Sequence, residues 1–190
     1  MKIIIEGIDR LGKDTLTAGL INSLGYHHVV HYSSPKNFDF YKESEKTVSD
    51  KNGEAPFWFQ HDSFIQGFHL LEQDTNVIFN RFHLGEVVYS ERYRKYDGSY
   101  VFGIEKLFPR ACKQVHLILL YTSNIDIMTD DGKSHDFTKR KEEQDDFFKA
   151  FEQSNIVHKH KIDVYDGFGE DYRPKPQILD EVLTKIKNGD

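Results

Sequence analysis

The 190-residue sequence predicts an α/β domain in which a five-stranded parallel sheet is flanked by helices. Short apolar runs alternate along the chain with longer amphipathic segments, and this alternation is typical of parallel strands joined by helices. The length is enough for one well-filled core but short for two, so we expect residues 1–190 to form a single domain.

Five apolar runs are predicted as strands. They lie at residues 3–5, 29–32, 77–79, 115–120 and 162–165. The first is expected to be buried on both faces, and the fourth, Val-His-Leu-Ile-Leu-Leu, is the clearest of the five. In sheets of this kind ligands bind at the carboxyl ends of the strands, so functional residues are sought directly after each run.

Four segments have the periodicity of amphipathic helices. They cover residues 14–24, 55–74 and 142–154, followed by a last helix that carries Ile178, Leu179, Val182, Leu183 and Ile186. Gly25 is a suitable stop for the first helix, and Pro56 and Pro176 are placed near the starts of two others.

Composition narrows the class of partner. The formal net charge is −6, and proteins that bind duplex nucleic acid usually carry a net basic face, so no nucleic-acid partner is expected. A small anionic ligand needs only a few cations in a cleft. Cys112 is the single cysteine, which excludes a disulfide framework and suits the cytoplasm. Only three consecutive apolar residues precede the first acidic residue, so we expect no signal peptide and no membrane partner.

A phosphate-binding loop is predicted at the first strand–helix junction, where Gly7, Gly12 and Lys13 form the pattern G-x-x-x-x-G-K. The glycines let the backbone curl so that successive N–H groups point at phosphate oxygens, and the helix adds its positive end. Lys13 supplies a mobile charge for the β- and γ-phosphates. A chance glycine turn is the alternative, but the strand before the motif and the helix after it favour binding.

The pattern predicts the three-layer P-loop NTPase fold, with ATP bound through its triphosphate. The residues expected to contact the phosphates are Gly7, Asp9, Arg10, Leu11, Gly12, Lys13, Asp14 and Thr15. Asp14 occupies a position where Ser or Thr normally ligates Mg²⁺. Thr15 is rotated by about 100° on the helix, so Asp14 is the predicted magnesium ligand. The alternative is an acidic residue that only stabilises the helix dipole.

Two segments resemble thymidylate kinases. Residues 6–13, Glu-Gly-Ile-Asp-Arg-Leu-Gly-Lys, resemble that family's version of the loop, with Asp-Arg inside the glycine frame. Residues 80–89, Asn-Arg-Phe followed by Gly85 and Tyr89, resemble its Asp-Arg-Tyr segment and small phage-type deoxynucleoside monophosphate kinases. More loosely, the basic stretch at 129–141 before Asp-Phe-Phe at 146–148 resembles the family's mobile lid.

The resemblance implies roles for individual residues. On the donor side Arg10, together with Arg140 from the lid, would neutralise charge on the transferring phosphoryl group. On the acceptor side Asp9 would bind the 3′-hydroxyl, Arg81 would clamp the phosphate and Tyr89 would pack against the sugar. Phe59 is the predicted stacking partner of the base, although core packing is the simpler interpretation for any aromatic residue of that helix, including Phe64 and Phe68.

Three positions depart from the family pattern. Asn80 stands in place of an Asp that assists magnesium, Lys36 in place of a phosphate-binding Arg, and Asp62-Ser63 in place of a base-contacting pair. Since Asp14 gains a carboxylate and Asn80 loses one, we hypothesise that the magnesium-facing charge has moved between them with the total unchanged.

The predicted reaction is transfer of the γ-phosphoryl group of ATP, with Mg²⁺, to a deoxynucleoside monophosphate, with dTMP as the leading acceptor. A monophosphate is already ionised, so catalysis by Lys13, Arg10, Arg81 and Arg140 requires positioning and charge neutralisation. Arg92 and Arg94 also favour an anionic acceptor, although a solvated helix face is an equally good interpretation of either arginine. A deoxynucleoside kinase, with Glu86 at the acceptor as base, stays open, as does a catalytically silent nucleotide-binding protein. The expected partners are small nucleotides, and a homodimer stays open because such relatives are often dimers.

Overall fold

The structure is a computed structural model that describes residues 1–25, 27–32, 54–73, 75–94, 96–130, 136–167 and 172–188. Lys36 and residues 131–135 of the predicted lid lie outside the described residues, as does the side chain of Phe59. The predicted roles of these residues therefore stay predictions.

Five parallel strands form one sheet in the order β2-β3-β1-β4-β5. They are β1 (Lys2–Glu6), β2 (His28–His31), β3 (Val77–Asn80), β4 (Val115–Tyr121) and β5 (His158–Asp163). All five residues of the central strand β1 are buried. Ile5 is paired with Asn80 of β3 and with Ile118 of β4, so the loops after β1 and β3 begin side by side.

Seven α-helices cover the sheet in the described part of the chain. They are α1 (Lys13–Leu24), α2 (Glu54–Glu72), α3 (Leu84–Tyr89), α4 (Tyr100–Leu107), α5 (Pro109–Gln114), α6 (Arg140–Gln153) and α7 (Lys175–Asn188). A π-helical turn, Ser90–Arg94, continues α3, and short 3₁₀ turns lie at Ile125–Ile127 and Phe137–Lys139. Helix α1 packs against α7, α3 against α6, and α2 against α4 and α5. None of the helices in these ranges is long and apolar enough to cross a membrane.

The predicted bounds of the fifth strand were wrong, and the predicted set of helices was incomplete. The fifth strand was predicted at 162–165 but runs over His158–Asp163, because it is an edge strand with alternating exposed and buried residues rather than an apolar run. The short helices α3, α4 and α5 and the π-helical turn between β3 and β4 were not predicted. Each has eight residues or fewer, which is too short for a clear helical period.

Aromatic side chains fill the core between α2 and β3. Phe64 and Phe68 are fully buried there and pack on Phe82, whose ring centroid lies 4.4 Å from that of Phe79. Gly67 lets the helix lie flat on this cluster, since a Cβ there would come within 2.5 Å of the Phe82 ring. The simpler interpretation of Phe64 and Phe68 as core residues is confirmed.

Buried carboxylates tie the segment after β3 to the rest of the fold. Glu6 accepts backbone hydrogen bonds from Phe82 at 3.0 Å and Leu84 at 2.9 Å. Glu105 accepts from His83 at 2.7 Å and from Ser154 at 2.6 Å. Burial alone would raise the pKa of Glu105, but the hydrogen bond and charge of His83 hold it below its ordinary value. Arg81 directly precedes these anchored residues, and its own backbone N–H donates to the Ile5 carbonyl oxygen, so it is held next to β1.

Candidate active site

The loop between β1 and α1 has the backbone that its glycines predict. Gly7 has φ +129°, and a Cβ there would lie 2.3 Å from the carbonyl oxygen of Leu120 on β4. Gly12 has φ +81° and is the N-cap of α1. Leu11, between them, is buried and anchors the loop to the core. The loop therefore curls at the carboxyl end of the sheet with the first turn of α1 behind it.

Lys13 lies inside this loop and is only 5% exposed. Its Nζ donates to the carbonyl oxygens of Gly7 at 2.7 Å and Ile8 at 2.6 Å. Burial and the charge of Arg81 lower the pKa of Lys13 to about 8, although Asp9, Glu6 and Asp14 oppose the shift. The ammonium group is thus held by weak carbonyl partners that a polyphosphate would outcompete.

Arg81 and Asp9 meet at the mouth of the loop. Arg81 directly follows β3 with φ +66°, and its backbone N–H donates to Ile5 at 2.9 Å. Its guanidinium lies 2.8 Å from the Asp9 carboxylate, which in turn lies 3.7 Å from Nζ of Lys13. The structure therefore brings Asp9, Lys13 and Arg81 together, from segments more than 60 residues apart.

Arg10 links the loop to the segment predicted as a lid. Its guanidinium lies 3.4 Å from the Asp130 carboxylate and 5.3 Å from the centroid of the Phe137 ring. The Arg140 guanidinium lies 4.4 Å from the same ring centroid and donates to the carbonyl oxygen of Ile125 at 3.3 Å. Phe137 is thus a shared cation–π partner for the two predicted transition-state arginines. Sequence reasoning missed it, since a lone Phe in a polar stretch carries no motif.

Asp14 and Asn80 are in direct contact. Nδ2 of Asn80 donates to Oδ1 of Asp14 at 2.6 Å. Asn80 is 1% exposed, and its Oδ1 has no hydrogen-bond partner among the described residues, whereas Asp14 is exposed. Carboxylate and amide oxygens are hard ligands that suit Mg²⁺, so the pair fits the ion that the resemblance implies. Thr15 is also exposed, on the same helical turn.

Tyr89 lies beside the Asp9–Arg81 pair. Its ring is T-shaped against Phe147 at 5.8 Å between centroids, and a Cβ added at Gly85 would touch it at 3.7 Å. Burial raises the pKa of Tyr89, and the nearby carboxylates, including Asp9, add to the shift. A side chain at position 85 would therefore only touch this ring, which lies over α3 next to the mouth of the loop.

Glu86, predicted to contact the acceptor, is instead hydrogen-bonded to side chains of the fold. Its carboxylate is buried and accepts hydrogen bonds from Arg94, from Tyr96 at 2.5 Å and from Tyr100 at 3.0 Å. Arg92 is matched in the same way by Glu142, at 3.1 Å, and by Asp146 on α6. Because the charges of Arg92 and Arg94 are balanced by carboxylates of the fold, they do not strengthen the argument for an anionic acceptor.

An apolar cavity of about 590 Å³ adjoins the loop. It is lined by the loop, by α1, by the ends of β4 and β5 and by the start of α7. The lining residues include Arg10, Gly12, Leu16, Leu120, Val164, Tyr172, Arg173 and Leu179. Arg173 is fixed there by hydrogen bonds to the Asp163 carbonyl at 2.8 Å and the Glu181 carboxylate at 2.7 Å. No single sequence motif joins these residues, since they come from separate segments of the chain.

No family model and no curated protein matches the sequence. Several solved structures match the fold over nearly the whole chain. A deoxyadenosine kinase from M. mycoides has a TM-score of 0.58 at 14% identity, with 100% of both chains covered. A thymidylate kinase from Candida albicans has a TM-score of 0.55 at 16% identity, covering 99% of this chain and 92% of the other.

The chain has the three-layer α/β fold of P-loop kinases. YorR from Bacillus subtilis, solved in complex with phosphorylated GDP, is also similar, with a TM-score of 0.67 at 16% identity over 98% of this chain and 96% of YorR. The predicted fold class is therefore confirmed. Thymidylate kinase is one of several kinases with this likeness, all at low identity.

Proposed function

We propose that the protein transfers the γ-phosphoryl group of ATP to a deoxynucleoside monophosphate, with dTMP as the leading acceptor. The observation that carries the proposal is the Asp9 carboxylate shared by Arg81 and Lys13 at the mouth of the loop. Because both cations face this carboxylate, an acceptor phosphate that took its place would meet the two of them together. Arg10 and Arg140 add two further cations on the lid side.

The donor is proposed to lie across the loop and the adjoining cavity. The triphosphate would contact residues 7–15, whose N–H groups and Lys13 form the cradle. The base would enter the apolar cavity, whose volume of about 590 Å³ suits a ligand of nucleoside size. Tyr172 and Arg173 supply the aromatic and cationic groups at its rim.

The chemistry follows from the charges of these residues. An ionised acceptor phosphate needs no general base, so the protein aligns the two phosphates and neutralises their charge. Arg81 would exchange Asp9 for the acceptor phosphate, which frees Asp9 to accept a hydrogen bond from the 3′-hydroxyl. Lys13 would turn from the loop carbonyls to the donor phosphates. Asp14 would hold magnesium, which screens the charge of the donor phosphates when bound.

A deoxynucleoside kinase is the second candidate, supported by the likeness to deoxyadenosine kinase over the full length of both chains. A neutral hydroxyl acceptor would need a carboxylate base. Glu86, the predicted base, already accepts from Arg94, Tyr96 and Tyr100, so it would have to exchange these partners first. That requirement favours the monophosphate as acceptor.

The test is a coupled ADP-release assay with ATP, Mg²⁺, the four deoxynucleoside monophosphates and the four deoxynucleosides. We expect turnover with dTMP, and a fall in kcat/KM of about 100-fold in Arg81→Ala, since a charged donor at the reacting group contributes several kcal/mol. Arg110→Ala, which removes an exposed arginine of α5, is the control. Turnover with nucleosides alone would establish the second candidate. ATP binding without any turnover would indicate a silent nucleotide-binding protein.

The remaining proposals come from the sequence. They are small nucleotides as partners, no nucleic-acid or membrane partner, a cytoplasmic location and, still open, a homodimer.

A further inference from the structure

We propose that Asp14 carries the negative charge that faces the donor's magnesium, and that Asn80 is the positioning residue that holds it there. In the thymidylate kinase pattern the carboxylate is on β3 and the neutral side chain is on α1. In this chain the carboxylate is on α1, as Asp14, and the neutral side chain is on β3, as Asn80. This inference rests on the proposed function and deepens it at the metal side of the same site.

The position of the pair supports the exchange. Asp14 lies in the first turn of α1 and Asn80 is the last residue of β3, paired with Ile5 of β1 immediately before the loop. The two therefore face each other across the base of the phosphate loop, at 2.6 Å.

The chemistry of the contact fixes which atoms face each other. Because the Asp14 carboxylate can only accept when ionised, the amide group of Asn80 must turn its NH₂ toward it. The remaining Asn80 oxygen is then left buried without a partner among the described residues. Buried polar atoms normally have partners, so this arrangement gives up a hydrogen bond in order to aim the Asn80 amide at Asp14.

A simple helix-dipole role for Asp14 does not explain the contact. An acid in a first helical turn stabilises the dipole from an exposed position without any buried amide against it. Here Asn80 donates to Oδ1 of the exposed carboxylate, which leaves Oδ2 to face a hard cation. The pair keeps one negative charge and one hydrogen-bond donor, as a Ser–Asp pair in the family pattern would.

The experiment measures how strongly Mg²⁺ tightens ADP binding, by calorimetric titration of ADP with Mg²⁺ and with EDTA. Asp14→Ser is expected to reduce the tightening by Mg²⁺ by at least about tenfold, the scale on which loss of a metal-site group lowers affinity. Asn80→Asp in the same chain returns a carboxylate to β3, so the double variant Asp14→Ser/Asn80→Asp is expected to recover the tightening to within about threefold. The control is Asp145→Asn, which removes an exposed carboxylate of α6. It should change the ADP affinity neither with Mg²⁺ nor with EDTA.

Two results would overturn the inference. One is an unchanged effect of Mg²⁺ in Asp14→Ser, and the other is a double variant no better than Asp14→Ser alone. Asp14→Asn removes the charge with little change in shape, and it answers the same question if the serine variant does not fold. The ADP affinity measured in EDTA tests nucleotide binding alone, so it separates a failure of this inference from a failure of the proposed function. If the wild-type protein binds ADP under neither condition, the proposed function fails and the inference fails with it.

Discussion

At the scale of single residues, two arginines of the candidate active site have backbones in the left-handed region. Arg10 has φ +69° and Arg81 has φ +66°, and in the described ranges no other residue except glycine has a positive φ. This conformation costs a residue with a Cβ about 1–2 kcal/mol. Both strained positions coincide with residues that were singled out from the sequence, which supports the view that the backbone aims their guanidinium groups.

The strain at Arg81 can be separated from its charge. Arg81→Gly and Arg81→Ala remove the same guanidinium, but only alanine keeps the penalty of a Cβ at positive φ. We expect both variants to lose transfer activity, and the glycine variant to be about 1 kcal/mol more stable than the alanine variant in urea unfolding. Equal stability of the two variants would show that the backbone at residue 81 is not strained.

The pKa of Lys13 predicts how ATP binding depends on pH. Burial, followed by the charge of Arg81, lowers that pKa to about 8, and only the protonated lysine pairs with phosphate. Below pH 8 the ammonium is already present, whereas above it binding must take up a proton, so ATP affinity should fall by up to about tenfold per pH unit. Calorimetry at pH 6.5 and pH 8.5, in buffers of different ionisation enthalpy, measures the uptake. Binding at pH 8.5 without proton uptake would contradict the shift.

At the scale of elements, Phe137 joins the phosphate loop to the start of α6. Its ring lies within cation–π distance of Arg10 from the loop and Arg140 from the helix. A cation–π contact near the surface contributes about 0.5–1 kcal/mol, and the three side chains here are partly buried, so the ring aligns both arginines without holding them rigidly.

Phe137→Leu tests this alignment. It keeps an apolar side chain but removes the aromatic face, so we expect kcat/KM for ATP to fall about fivefold while the free energy of unfolding changes by less than about 1 kcal/mol. The matched control is Phe148→Leu. Phe148 is also partly buried and faces a cation, Lys161, at 5.5 Å, but it packs on Tyr121 away from the loop. Equal kinetic effects of the two substitutions would remove the special role of Phe137.

Strands and loop were predictable from sequence because each has a local signal. The first four predicted strands are apolar runs, and the phosphate loop is a pattern of glycines and lysine with fixed spacing. The apolar cavity beside the loop and the Arg10–Phe137–Arg140 contact could not be predicted in this way. Both bring together residues more than 100 positions apart, such as Arg10 and Arg140, and no local pattern relates them. The Asp14–Asn80 contact was accessible only because both positions depart from a known pattern.

At the scale of the whole molecule, a cluster of histidines lies at the end of the sheet opposite the candidate active site. His116 lies near the start of β4 and stacks on His158 and His160 of β5, with centroids 5.0 and 5.4 Å apart. Nδ1 of His116 lies 3.1 Å from Nε2 of His160. The site residues follow the other ends of the strands, so protonation of this histidine cluster should act on folding and leave the site geometry alone.

The histidine cluster predicts a loss of stability in acid. Burial, and then His160 and His158, lower the pKa of His116 to about 4, whereas an unfolded histidine titrates near 6.5. Between these values the unfolded chain binds the proton that the folded chain does not, so stability falls as pH drops from about 6.5 to 4, by at most about 1.4 kcal/mol per pH unit. His116→Gln should flatten this slope in urea unfolding measured at several pH values. An unchanged slope would assign the acid sensitivity to other groups.

The most direct test of the account is calorimetric titration of ATP with Mg²⁺ into the wild-type protein, Lys13→Ala and Lys113→Ala. Lys113 is an exposed lysine of α5, so its removal controls for the loss of one positive charge. If residues 7–13 hold the triphosphate, Lys13→Ala should weaken binding about 30-fold, which corresponds to about 2 kcal/mol for a hydrogen-bonded charge, while Lys113→Ala binds like the wild type. The same ATP affinity in all three proteins would contradict the claim that residues 7–13 hold the triphosphate.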